Sequence, residues 1–229
     1  MEQTFKPILF NTEMVRAILQ GRKTQTRRTK GLNIVNKDAK NYNFISFSVD
    51  YNYITFDNIK DEMFQSVTNN IGNPGDILWV RESFCFFLDG ICYKADHHKN
   101  MKALKWKPSI HMPKKACRIF LKITDIRVER IQDITEEDAL SEGVEFYFSQ
   151  LFQETRYKDY SKAKPGMFKP QRFYKTKAPI LGYGEWREAK SSFQSLWESI
   201  NSKDSWESNP WVWVISFERI SKPEGFNEC

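Results

Sequence analysis

The densest group of side chains able to do chemistry is Arg22-Lys23-Thr24-Gln25-Thr26-Arg27-Arg28. Its cations match phosphate or carboxylate, and its hydroxyls hydrogen-bond either anion or backbone. It lies within Met14–Lys37, where seven Lys/Arg residues meet no acid. Between Lys94 and Arg118 eight Lys/Arg face one acid, together with Trp106 and all three histidines. Arg156–Lys177 repeats that balance, interleaved with Tyr157, Tyr160, Phe168, Phe173 and Tyr174. Cations for a phosphate backbone and aromatic planes for bases are what single-stranded nucleic acid needs. The same composition also fits basic loops whose aromatics tuck onto the body of the protein. Lys105, Trp106, Lys107 and His111 are the ligand candidates of the second stretch, although His111 also fits a structural place in its Pro-flanked loop. Arg81 and Glu82 follow a buried strand, where they form a rim ion pair or contact ligand. Trp79, Trp211 and Trp213 read as core.

Cys85, Cys92, Cys117 and Cys229 contain no CxxC pair. Cys85, Cys92 and Cys117 sit in strand-like apolar runs, the place of buried reduced thiols, which fits a cytoplasmic protein. With His97, His98 and His111 they lack the close paired spacing of structural zinc sites, so neither metal nor cofactor is expected. The 229 residues carry a net charge of +6, which conceals an asymmetry. Residues 1–130 hold 22 basic and 13 acidic side chains, and residues 131–229 hold 13 and 16. The first part, at +9, is suited to an anion, whether nucleic acid, nucleotide or anionic surface. No run of eighteen apolar residues exists, which excludes a membrane-spanning helix. The first residues lack the basic and apolar regions of a secretory signal.

The elements that must position these residues follow from local pattern. Lys6–Phe10 reads as a strand, and Asn11 caps a helix with Met14, Ala17 and Ile18 as its buried stripe, flanked by Val15 and Leu19. Gly21 ends that helix in left-handed backbone. Residues 31–73 read as an insertion carrying a hairpin. Asn73-Pro74-Gly75-Asp76 turns into the buried strand Ile77–Val80, and a hairpin is centred on Asp89-Gly90. Cys117–Ile123 and Ile126–Ile131 alternate as half-buried strands. Thr135 with Asp138 caps a short helix running to about Glu142 before Gly143. Residues 144–184 have no clean period and read as a second, basic and aromatic, insertion. A helix follows from Trp186, with Ala189, Phe193, Leu196, Trp197 and Ile200 on one face. Trp211–Phe217 is apolar on both faces and so central. About six or seven strands without βαβ alternation predict an α+β domain spanning 1–229: a small mixed barrel with short helices on its rim and two insertions.

Lys6–Phe10, Met14–Leu19 and Gly21–Arg28 resemble the ASCH domain family, in its longer phage and prophage form. Gly75–Glu82, Trp106–Pro113, Ile131–Ala139 with Glu142-Gly143, and Asn209–Val214 extend the resemblance in order along the chain. It implies a PUA-like β-barrel, a fold related to RNA-binding domains. It also implies a cytoplasmic place, in a bacterial or phage-infected cell, and a partner that is RNA or a nucleotide rather than a membrane. Lys23, Arg27, Arg28 and residues 105–111 are then expected to line one cleft, with Arg22 and Thr24 beside them. One branch of the family removes acetyl from N4-acetylcytidine, others are linked to RNA cleavage, and the phage type is often labelled morphogenetic. The hydrolase branch implies Thr26 as nucleophile, Lys23 as its base and Glu142 assisting. Such a base needs its pKa brought down from about 10.4 toward 7–8 by burial or cationic neighbours. In a straight strand Lys23 and Thr26 point to opposite faces, so the pair requires a bend. A structural or host-interaction role with a vestigial cleft is the remaining reading.

Overall fold

Strand period and helix caps arrange the chain around one open sheet. The computed structural model describes residues 4–48, 52–87, 90–97, 105–149, 153–161, 173–174 and 188–226. The sheet is built from β1 (Phe5–Leu9), β2 (Gln25–Arg28), β6 (Ile77–Arg81), β9 (Phe120–Arg130) and β13 (Trp211–Ile220). Its order is β1-β6-β9-β13-β2. β1 runs parallel to β6, and the other pairs are antiparallel, with a bulge in β13 between Ser216 and Phe217. Trp211, Trp213, Ile215 and Phe217 fill the main core, while Val212 and Val214 face a second core. Burial on both faces is what the uninterrupted apolar run of β13 dictates.

The sheet is α+β in class but is not a closed barrel, and five strands replace the expected six or seven. The remaining strands form separate small sheets. β3 (Tyr42–Ser48), β4 (Tyr53–Asn58) and β5 (Met63–Thr68) make an antiparallel meander where a hairpin was expected. Ile54, Phe56 and Val67 seat it on the main core. β7 (Phe84–Phe87) and β8 (Gly90–Tyr93) form the predicted hairpin, with Cys85 opposite Cys92. Cys85, Cys92 and Cys117 are free, and Cys229 lies outside the described residues. Residues 144–184 showed no clean period, yet they contain β10 (Phe146–Ser149), β11 (Glu154–Lys158) and the two-residue β12 (Phe173–Tyr174) in one sheet. A short helix, α2 (Asn33–Asn36), precedes β3.

Helix α1 (Thr12–Leu19) starts where Asn11 Oδ1 accepts from the Met14 amide at 2.8 Å. Its most buried residues are Val15, Ala17 and Ile18, with Met14 only half-buried. Gly21 at φ +74° lets the Arg22 amide reach back to the Ala17 carbonyl at 2.9 Å. The same end recurs after α3 (Glu136–Ser141), capped by Thr135, with Gly143 at φ +87°. Helix α4 (Ala189–Asn201) packs Phe193, Leu196 and Trp197 into the second core; the expected start at Trp186 lies outside the described residues. Among the described residues no helix is long and apolar enough to cross a membrane.

Candidate functional site

The two turns after α1 and α3 bring their following residues together. Lys23 and Glu142 form an isolated antiparallel bridge, and the Thr24 amide donates to the Ser141 carbonyl at 2.8 Å. Gly21 is required by φ alone, since a Cβ there would meet open space, whereas Gly143 is required by space as well. A Cβ on Gly143 would lie 2.8 Å from Lys23 Cβ and 2.9 Å from Ala17 Cβ.

Lys23 is fully buried, and its ammonium donates three hydrogen bonds. They reach Gln25 O at 2.8 Å, Glu142 O at 2.9 Å and Glu142 Oε2 at 2.7 Å. Glu142 Oε1 accepts from Arg27 Nη1 at 3.2 Å. Arg27 also pairs with Glu129 and with Asp138, the latter at 2.8 Å. Arg127 Nη2 closes the group on Asp138 at 2.7 Å. Three cations and three carboxylates therefore compensate one another, as buried charges must. Burial pushes the Lys23 pKa down, Glu142 opposes this, and Arg28 and Arg27 add to the depression. Burial alone would raise Asp138, but the guanidiniums of Arg27 and Arg127 hold it below the usual carboxylate value.

Beyond this balanced group lies a cavity of about 180 Å³ between β2 and α4. Thr26, Arg28 and Glu142 line one side of it, and Phe193, Trp197 and Ile200 the other. Thr26 is completely buried, and its hydroxyl has no hydrogen-bond partner. The Trp197 indole N–H is likewise buried and unpartnered. Buried donors and acceptors are nearly always satisfied, so these two orphans stand out among the residues that line the cavity, although both atoms are closed off from its open space. Arg28 lies over the Phe10 ring at 5.0 Å and donates to the Leu9 carbonyl at 3.0 Å. It makes no ion pair among the described residues, and burial lowers its pKa while the nearby charge of Glu142 opposes the shift. With the neighbouring charges cancelled, Arg28 and the exposed Lys30 supply the cavity's net positive charge.

The predicted residues thus divide. Thr26, Arg27, Arg28 and Glu142 meet at the cavity, while Lys23 stands behind Glu142 and no hydrogen bond links it to Thr26. Arg22 and Thr24 line a different groove, on the far side of the Lys23–Glu142 bridge. Residues 105–111 do not line the cavity, because Lys107 is bridged to Phe84 and lies over Phe86 at 5.1 Å. Lys105 and His111 are exposed, and Trp106 packs on His97. Arg81 and Glu82 do not pair with each other. Arg81 donates to the carbonyls of Met112 and Ile110, while buried Glu82 binds Arg118 at 2.8 Å. Trp197 and Ile200 were legible only as the apolar face of a helix, a pattern that does not separate core from cavity wall. Among the described residues no group of His, Cys, Asp or Glu is placed to hold a metal ion. Compared with models of known protein families, with curated proteins and with solved structures, the chain matches none.

Proposed function

We propose that this chain is an ASCH-type protein that binds RNA or a modified nucleotide in the cleft between β2 and α4. The observation that carries this reading is the Arg28 guanidinium, without an ion pair among the described residues, in a cavity lined by Thr26, Phe193 and Trp197. A cation for phosphate, polar atoms for a base edge and an aromatic wall are the parts nucleotide recognition uses. At about 180 Å³ the cavity is smaller than the roughly 300–1,000 Å³ of drug-sized sites and suits one base or one phosphate. The PUA-like barrel belongs to this proposal. What supports it is one link between the sheet's edge strands, the hydrogen bond from the Arg28 side chain in β2 to the Leu9 carbonyl in β1. The test is fluorescence anisotropy of a labelled 12-nucleotide single-stranded RNA in low salt. Arg28→Ala should weaken binding about 10- to 100-fold, the worth of one charged hydrogen bond. An affinity unchanged by that substitution contradicts the reading.

A hydrolase acting on an acylated cytidine such as N4-acetylcytidine is the second reading. It is favoured by the free Thr26 hydroxyl beside Glu142 and by the depressed pKa of Lys23. Against it, all three Lys23 N–H groups are engaged, and the ammonium faces Glu142 rather than the nucleophile. Cytidine release from N4-acetylcytidine that disappears in Thr26→Ala would establish it. No release, with nucleotide binding intact, leaves binding as the function.

A further inference from the structure

The hairpin β7–β8 sets two thiols against each other. Cys85 and Cys92 are direct cross-strand partners, so their side chains leave the same face of the ribbon. Phe84 exchanges backbone hydrogen bonds with Lys107 in both directions rather than with β8, and the Lys94 amide donates to the Ser83 carbonyl at 2.9 Å. The alternation of an antiparallel ladder therefore makes Cys85–Cys92 a hydrogen-bonded pair, with Cα atoms about 5.5 Å apart. That separation lies inside the roughly 4.4–6.8 Å that a disulfide spans. The two thiols already share a hydrogen bond.

The two sulfurs differ in environment. Cys85 is buried and Cys92 is half-buried. Burial pushes the Cys85 thiol up, and Cys92 beside it adds to the shift. Cys117 offers a contrast, because its thiol is pushed up to about 11 by burial and donates to the Ile119 carbonyl at 3.4 Å. It also belongs to the other side of the ribbon. Tyr93 donates to the Ala116 carbonyl at 2.9 Å, and adjacent residues of a strand point to opposite faces. Cys92 is therefore turned away from the segment that holds Cys117, and Cys85 is the thiol within its reach.

We propose that Cys85 and Cys92 form a reversible redox site, oxidised to a disulfide by a peroxide and restored by a monothiol such as glutathione. The thiolate form of the more accessible Cys92 attacks one peroxide oxygen and the O–O bond breaks. Cys92 becomes a sulfenic acid, and the hydroxide released takes up the proton that Cys92 gave, forming one water. The Cys85 sulfur then attacks the Cys92 sulfur, the S–O bond breaks, and the hydroxyl leaves with the Cys85 proton as a second water. Two thiols are oxidised and one peroxide is reduced. In the return direction two glutathione thiols become glutathione disulfide and both protein thiols are regained. The ladder position makes the bond labile. Side chains of a hydrogen-bonded pair stand about 5–5.5 Å apart at Cβ, whereas a disulfide needs about 3.8 Å. Closing the bond must twist the hairpin, and strained disulfides are the ones that thiols reduce readily.

The experiment treats the reduced full-length protein with hydrogen peroxide, alkylates the remaining thiols under denaturing conditions and reads the products by intact mass and tryptic mapping. The peptide Glu82–Lys94 carries both cysteines. It should lose both alkylation sites together, with a mass lower by two hydrogens, while Cys117 stays alkylated and the protein stays a single chain. Glutathione should restore both sites, and buffers of graded glutathione to glutathione disulfide ratio should carry the pair from reduced to oxidised. Cys92→Ser should leave Cys85 as a thiol under the same treatment, because the first attacker is gone; circular dichroism melting checks that this variant folds. The wild-type result stands without it. Full alkylation of both cysteines, after a treatment that oxidises free glutathione, overturns the site. So does a disulfide that joins two chains or takes in Cys117, or an oxidation of the pair that glutathione does not reverse.

Discussion

At the scale of single residues, the central question is why a lysine, two arginines and three carboxylates are gathered beneath a cavity. Desolvating each alone would be prohibitive, and together they balance. Glu142→Ala leaves Lys23 buried without its anion, so chemical denaturation should show a loss of about 3–5 kcal/mol. Lys23→Met/Glu142→Leu removes both charges and should cost clearly less than the sum of the single changes. Asp138 titrates below its ordinary value of 3.8. Its contribution is therefore present above pH 3.8 and lost as pH falls through the lower folded value. Stability curves of wild type and Asp138→Asn should be separated at neutral pH and converge in acid; curves that stay parallel would contradict the ion pairs with Arg27 and Arg127.

At the scale of elements, two helix ends place the site. Gly21 and Gly143 were both readable as left-handed terminators, and Thr135 as a cap, because these features depend on local backbone alone. That the two ends meet, bridging Lys23 to Glu142 across 119 residues, is a tertiary fact invisible to local pattern. Gly143→Ala meets both a positive φ and two side chains under 3 Å away. It should lose about 2–4 kcal/mol in thermal or denaturant unfolding, whereas Thr135→Ala, losing one capping bond, should lose about 1 kcal/mol. The strand-rich segment 144–158 escaped sequence reasoning for a physical reason. Phe146, Tyr147 and Phe148 are all aromatic, and buried Arg156 and Lys158 invert the usual polarity, so period-2 alternation disappears. Residues 105–111 were misplaced because composition reports charge and aromatic content but not which face of the sheet a loop joins.

At the scale of the whole molecule, the net charge of +6 is less informative than where it is left uncompensated. Lys23, Arg27, Arg118 and Lys158 are engaged with carboxylates, while Arg22 lines the groove and Arg28 and Lys30 line the cleft. Single-stranded RNA affinity should fall with log salt at about 0.7 per phosphate contact, and Arg28→Ala should lower that slope by about one contact. The most direct test follows the orphaned indole of Trp197, one of seven tryptophans. Its ¹⁵N–¹H resonance, assigned with Trp197→Phe, is followed while cytidine 5′-monophosphate or the RNA is titrated. A nucleotide in the cleft predicts a saturable shift of Trp197 that tracks the binding curve and weakens at least about 10-fold in Arg28→Ala. RNA binding that leaves the Trp197 resonance in place, or no binding of either ligand, would contradict the account.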